Sequence, residues 1–168
     1  MTLTLFTFHG TVFTALKTVG EIRERARKLA TRVGLVTAVL ALVFLLWTQV
    51  DSGDAKSLVA LVVAVAALVA ALVANQAGRE GWSFALSGVT IVAAVAMLFL
   101  TLFPNVMPSS LDADWSLTVT NASSSPYTLK IMTWCAGIAT PVVLLYQGWT
   151  YWVFRKRIGT QHIAEAAH

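Results

Sequence analysis

The sequence predicts an all-α, polytopic transmembrane helix bundle of about five spans. Five apolar runs follow one another along the 168 residues, most of them near the roughly 20 residues that a helix needs to cross a bilayer. Lys and Arg are confined to short segments that alternate with those runs. Composition agrees: 57% of residues are hydrophobic and 12% charged, with a mean hydropathy of +0.73, whereas a soluble domain carries about 25% charged residues. The net charge of +4 sits where it sets membrane orientation, so no nucleic-acid partner is implied. A single cysteine, Cys135, excludes an internal disulfide, and no Cys/His cluster has metal-ligand spacing.

The runs occupy about 2–17, 33–50, 57–75, 82–104 and 129–154 of one transmembrane domain covering 1–168. The first, "MTLTLFTFHGTVFTALKT", lacks the basic start of a signal peptide. It reads as a shortened span whose remainder lies upstream of Met1. A basic loop follows at 18–32, ahead of the second run. The third run is built of Ala, Val and Leu without an aromatic residue. There Ala66, Ala70 and Ala74 share one stripe, with Ala60/Ala64 and Ala67/Ala71 at the same spacing. Such a stripe either brings helix backbones close together or reflects the abundance of alanine in this chain. Between the fourth and fifth runs lies a loop at 105–128 with Pro, Asp, Asn and Ser as turn formers. Its "SLTVT" (116–120) alternates like a short extended stretch. Asn121-Ala122-Ser123 matches the glycosylation sequon, a short and unspecific motif. Pro126 lies just ahead of the last helix, and Ser123, Ser124 and Ser125 offer side-chain oxygens to its free amides.

Orientation follows from the basic residues. Lys17, Arg23, Arg25, Arg27, Lys28 and Arg32 precede the second run, Arg79 lies between the third and fourth, and Arg155, Lys156 and Arg157 follow the fifth. Placing these regions in the cytoplasm puts 10 of the 12 basic residues there. Lys56 and Lys130 remain outside, with Asp51, Asp54, Asp112 and Asp114. The tail 155–168 and the carboxy terminus are then cytoplasmic. Trp47 and Trp134 fall at outer ends of runs, and Trp82, Trp149, Tyr151 and Trp152 at or near inner ends, as interfacial anchors do.

No catalytic, cofactor-binding or metal-binding residue is predicted. There is no paired carboxylate, no Ser/His/Asp set and no Gly-rich phosphate loop. His9, next to Gly10, is the one ionisable residue set within a run. It is either a haem ligand or proton relay, or a neutral histidine bonded to a neighbouring helix with Gly10 allowing close contact. No second His or carboxylate lies at helical spacing from it, which favours the neutral reading. His162 and His168 belong to the polar tail. The basic run 23–32 could meet anionic headgroups, although its role in orientation accounts for it. Gln147 and Gly148 read as a structural contact across helices.

"MLFLTLFPNVMPSSLD" and "LTVTNASSSPYTLKIMTWCAGIATPVVLLYQGWTYWVFRKRI" closely resemble the carboxy-terminal region of subunit II of the bacterial cytochrome bd quinol oxidase. "FTFHGTVFTALKTVGEIRERARKLA" resembles the middle of that subunit. The resemblance covers about 3–158 and is most specific at 103–110, 121–134 and 146–158. It implies a nine-span subunit partnered with subunit I, which holds two b-type haems, one d-type haem and the quinol-oxidising loop. The complex oxidises quinol and reduces oxygen to water in the bacterial cell membrane. Subunit II stabilises subunit I, binds no haem itself, and its interface helps conduct protons inward. Membrane lipid, quinol, oxygen and subunit I are the implied partners. Five spans against nine imply a carboxy-terminal portion, with the amino-terminal half of subunit II missing. A transporter or channel fragment is the alternative, and would show broken helices or ionisable residues at mid-membrane. A freestanding membrane enzyme fails for want of partners to His9.

The orientation is testable by cysteine labelling after Cys135 is replaced. Single cysteines introduced within 17–32 should react from the cytoplasmic side and those within 105–127 from outside. Labelling from the opposite faces would overturn it.

Overall fold

The computed structural model describes residues 1–159; His162 and His168 lie outside them. Five helices follow in order: α1 (Thr2–Lys17), α2 (Gly20–Ser52), α3 (Ala55–Gln76), α4 (Glu80–Leu102) and α5 (Pro126–Val153). The last four are long and apolar enough to cross a membrane. α1, at 16 residues, falls short of that length. Two compact units divide the chain, one of residues 1–102 with the stretch from Arg157, the other Phe103–Lys156.

In the first unit, α1 to α4 form a bundle in which α3 packs most extensively on α4 and α1 on α2. The stretch expected as a loop at 18–32 is instead helical from Gly20, continuous with the second span, so α2 runs for 33 residues. Its charged first half fits that outcome. Glu, Arg, Lys and Ala are good helix formers, and Ala26, Ala30 and Gly34 bury one stripe while Glu21, Glu24, Arg25, Lys28 and Arg32 are exposed. Only Thr18 and Val19, in extended conformation, separate α1 from α2.

The core joins Leu5, Phe8 and Val12 of α1 to Ala41 and Leu45 of α2, Ala64, Leu68 and Ala71 of α3, and Ala94 and Met97 of α4. The alanines that α3 buries are Ala64, Ala67 and Ala71, whereas Ala66 is exposed and Ala70 and Ala74 are only half-buried. Close helix approach therefore uses the second stripe, set by the face that α4 covers. Nor does Gly10 serve the contact expected of it, since a Cβ there would meet nothing within 4 Å. Gly34 does. A Cβ on it would run into Leu72 Cδ2 and come within 2.9 Å of Phe8 Cε2.

Connections between helices are short and fully bonded. Asp54 caps α3 by accepting the Ser57 amide at 2.8 Å, while Ser57 Oγ accepts the Asp54 amide at 2.8 Å, a reciprocal capping box. The Ser57 amide holds the Asp54 carboxyl below its ordinary value. Gln49 Nε2 donates to Asp54 O at 3.0 Å, tying the end of α2 to this cap. α3 ends in a Schellman motif. Gly78, at φ +71°, donates to Asn75 O (3.2 Å), and the Arg79 amide donates to Ala74 O (2.9 Å).

In the second unit, Asn105–Met107 (β1) pairs antiparallel with Leu117–Thr118 (β2), which places the expected extended stretch in a two-stranded ribbon. Asn121 is spent on this loop: its Oδ1 accepts the Thr118 amide at 2.6 Å and its Nδ2 donates to Ser116 O at 3.1 Å. Ser125 is the N-cap of α5 and accepts the Thr128 amide at 3.3 Å, with Pro126 as the first helical residue rather than the one before it. Ser123 donates to Thr120 O and takes no part in the cap. α5 buries none of its residues and carries Pro141 in its interior.

Replacing Gly34 by Val should overpack the α1–α2–α3 junction and cost about 1–3 kcal/mol, whereas Gly10→Val should change stability by less than about 0.5 kcal/mol. Thermal unfolding of the purified variants in detergent distinguishes them. Equal losses at the two positions would place the close contact elsewhere.

Candidate functional site

The first unit hides a polar seam that its composition conceals. Glu80, Ser83, Ser87, Thr90, Met97 and Thr101 of α4 are buried, and their spacing of three and four marks a single helix face. At the seam's end stands Glu80, with its side chain 2% exposed. Arg23 reaches its Oε1 through Nε at 2.8 Å and Nη2 at 2.7 Å. Arg27 Nε lies 3.7 Å from the same oxygen, and Arg157 Nη2 stands 3.5 Å from Oε2. A carboxylate this deep requires paired charge, and here two segments supply it: the first turns of α2, with Arg23 and Arg27, and the segment after α5, with Arg157. The exposed N–H groups of the first turn of α4 favour the negative charge further.

Arg27 does a second job. Its Nη2 donates to Asn75 O and Gln76 O, both at 3.2 Å, adding side-chain bonds to carbonyls at the end of α3. Its guanidinium lies close over Gly78, where a Cβ would come 3.5 Å from Nη2. At the α1–α2 connection, the Ile158 amide donates to Lys17 O at 2.8 Å, pairing Thr18 with Ile158 in a parallel bridge.

Farther along the seam, His9 Nδ1 lies 2.7 Å from Ser87 Oγ. Ser87 gives its one hydrogen to Phe84 O at 2.8 Å, so it accepts from His9, and the imidazole carries its proton on Nδ1. The ring stacks on Phe84 with centroids 4.4 Å apart. Ser87, Phe84 and, beyond Phe84, Phe13 at 5.6 Å include no second metal ligand. His9 is thus bonded across helices to Ser87 of α4.

Among the described residues, Glu80, Asn75 and Arg157 are the charged and polar groups that sequence reasoning passed over. Glu80 falls between the third and fourth apolar runs, where only Arg79 drew notice. The signal was the recurrence of hydroxyls at 83, 87 and 90 in register with Glu80. Arg157 was assigned to orientation alone.

Comparison with known proteins follows this geometry. The model of the family "Cytochrome bd terminal oxidase subunit II" matches residues 1–154. The chain belongs to the cytochrome bd terminal oxidase subunit II family. It is 39% identical over 166 residues to a cytochrome bd ubiquinol oxidase subunit 2 of Bacillus subtilis, covering 94% of this chain and 48% of that one. It is 38% identical over 90 residues to the cytochrome bd-I ubiquinol oxidase subunit 2 of Escherichia coli, covering 54% and 24%. A probable cytochrome oxidase subunit 2 of Haemophilus influenzae matches at 30% over 94 residues, 56% and 25%. The chain thus spans about half the length of the Bacillus relative and about a quarter of the other two. The family match takes in all of α1 to α5 and ends before Arg157, so the arginine on Glu80 Oε2 lies outside the matched stretch of this subunit II chain.

Neutralising the carboxylate tests the knot. Glu80→Gln should cost about 3 kcal/mol, the low end for a broken buried ion pair because its arginines are about one-third exposed. Arg157→Gln should cost about 1 kcal/mol or less. Denaturant or thermal unfolding in detergent reads both. A Glu80→Gln protein as stable as the parent would show that the carboxylate does not hold these elements together.

Proposed function

We propose that this chain is an accessory, non-catalytic integral membrane subunit of a cytochrome bd-type quinol oxidase, which oxidises quinol and reduces oxygen to water. The family match over residues 1–154 carries the reading. On it, a subunit I partner holds the b-type and d-type haems and the redox chemistry, while this chain braces it within the cell membrane. Two features of the chain support an accessory role. Buried polar groups of the first unit bond within the protein, across helices as with His9 to Ser87 and Ser83 to Ala71 O, or along their own helix as with Thr37 and Thr90. The sharpest electrostatic feature, the Glu80 knot, ties connections together rather than facing an apolar cavity. The basic end, with the segment after α5, faces the cytoplasm by the positive-inside rule. A transporter reading would need ionisable groups at mid-membrane, and His9 with its serine partner does not supply them.

The test is a tagged pull-down from the native membrane followed by a reduced-minus-oxidised spectrum. The expected result is co-purification of a larger chain with b- and d-type haem signals, together with any chain supplying the rest of the relatives' length. Recovery of this chain without haem or partner would overturn the oxidase assignment.

A further inference from the structure

On the basic side of the first unit, α2 and the last turn of α3 enclose a cleft of about 340 Å³ lined by Glu24, Arg27, Lys28, Thr31, Asn75 and Gln76. Positions 24, 27, 28 and 31 recur at three- and four-residue spacing, so one face of α2 forms the wall. Asn75 is 1% exposed. Its Nδ2 donates to Arg27 O at 3.2 Å and to Thr31 Oγ1 at 3.0 Å. Turning the amide over would set oxygen against the Arg27 carbonyl, so the orientation is fixed. Oδ1 is then left buried without a donor, and Arg27 Nε is buried without a hydrogen-bond acceptor. Buried polar groups are rarely left so. Lys28 and Glu24, at the same cleft, form no ion pair among the described residues.

The cleft therefore offers two kinds of unmet chemistry. Lys28 asks for an anion, while Asn75 Oδ1 and Glu24 ask for a hydrogen-bond donor. A phosphate linked to an ammonium or hydroxyl group meets both. The surroundings select the source: Leu35, two turns beyond Lys28 on α2, and Val73, one turn before Gln76 on α3, are 54% and 60% exposed. An apolar surface thus continues from the polar cleft along the spans, as an acyl chain requires. We propose that this cleft seats the headgroup of a membrane phospholipid, with phosphate on Lys28 and the ethanolamine or glycerol donor on Asn75 and Glu24. The site is independent of the oxidase assignment.

The test is lipid retention by native mass spectrometry on the chain with its co-purifying partners, stripped of lipid and then supplied with phosphatidylethanolamine, phosphatidylglycerol or phosphatidylcholine. The first two should be retained about fivefold or more over phosphatidylcholine, whose quaternary ammonium donates no hydrogen bond. Lys28→Gln, at an exposed position that leaves the bundle intact, should lower retention about fivefold, the effect of one basic residue at a membrane surface. Arg25→Gln, an exposed helix residue paired with Glu21, should leave it unchanged. Equal retention of phosphatidylcholine, or full retention by Lys28→Gln, would overturn the proposal. Displacement of the lipid by inorganic phosphate would assign the cleft to free phosphate and overturn the lipid source.

Discussion

Hydrocarbon offers no hydrogen bonds, so every polar group carried into a bilayer must find its partner within the protein. The interior of the first unit is arranged around that constraint. Thr37 donates to Val33 O, Thr90 to Leu86 O and Thr101 to Leu98 O, each on its own helix. Ser83 reaches across to Ala71 O, and His9 meets Ser87. The side facing outward is left to Val39, Val43, Val59, Val62, Val89 and Val92, all largely exposed, for which lipid is as good a solvent as a protein core. Small buried residues follow from the same arrangement. Without a hydrophobic force between helices, close packing supplies the attraction, and Ala64, Ala67, Ala71 and Gly34 let α3 and α2 approach their neighbours.

The Glu80 knot meets the constraint where it is hardest to meet. A lone carboxylate at 2% exposure would be prohibitively costly. Surrounding it with Arg23, Arg27 and Arg157 makes it tolerable and leaves an excess of positive charge on the basic side. The same residues close the helix ends, because Arg27 serves both Glu80 and carbonyls at the end of α3. Arg27 Nε lies 3.7 Å from Glu80 Oε1 without a hydrogen-bond acceptor, and the same residue lines the headgroup cleft. The positive-inside pattern read from sequence is thus also a structural device in this chain. Basic residues that set orientation are the ones that tie α2, α4 and the segment after α5 together.

Spans and fold class were legible because apolar length is a one-dimensional property. Boundaries were less so. Loop and helix look alike at 18–32 when the helix is highly charged, and only the stripe Ala26, Ala30, Gly34 betrays the continuation of α2. Which alanine stripe is buried depends on where α4 lies, so Ala67 and Ala71 could not be preferred over Ala66 and Ala70 from spacing alone. Gly10 attracted notice by sitting beside His9, whereas Gly34 acts by sitting against Phe8, 26 positions away in the chain. The Glu80 partners come from three separate segments, and no local pattern assembles them. The Ser125 cap with Pro126 was readable because capping is local.

α5 obeys the constraint in a different way. Thr133 donates to Leu129 O and Thr150 to Tyr146 O, so its hydroxyls need no neighbour. Pro141 has no amide to give to Gly137 O, and a helix in lipid tolerates such a gap when adjoining groups compensate. Yet 28 residues of α5 bury nothing, while every helix of the first unit contributes to a shared core. Lipid alone would satisfy the apolar side chains, but tight packing is what fixes a helix's tilt and rotation.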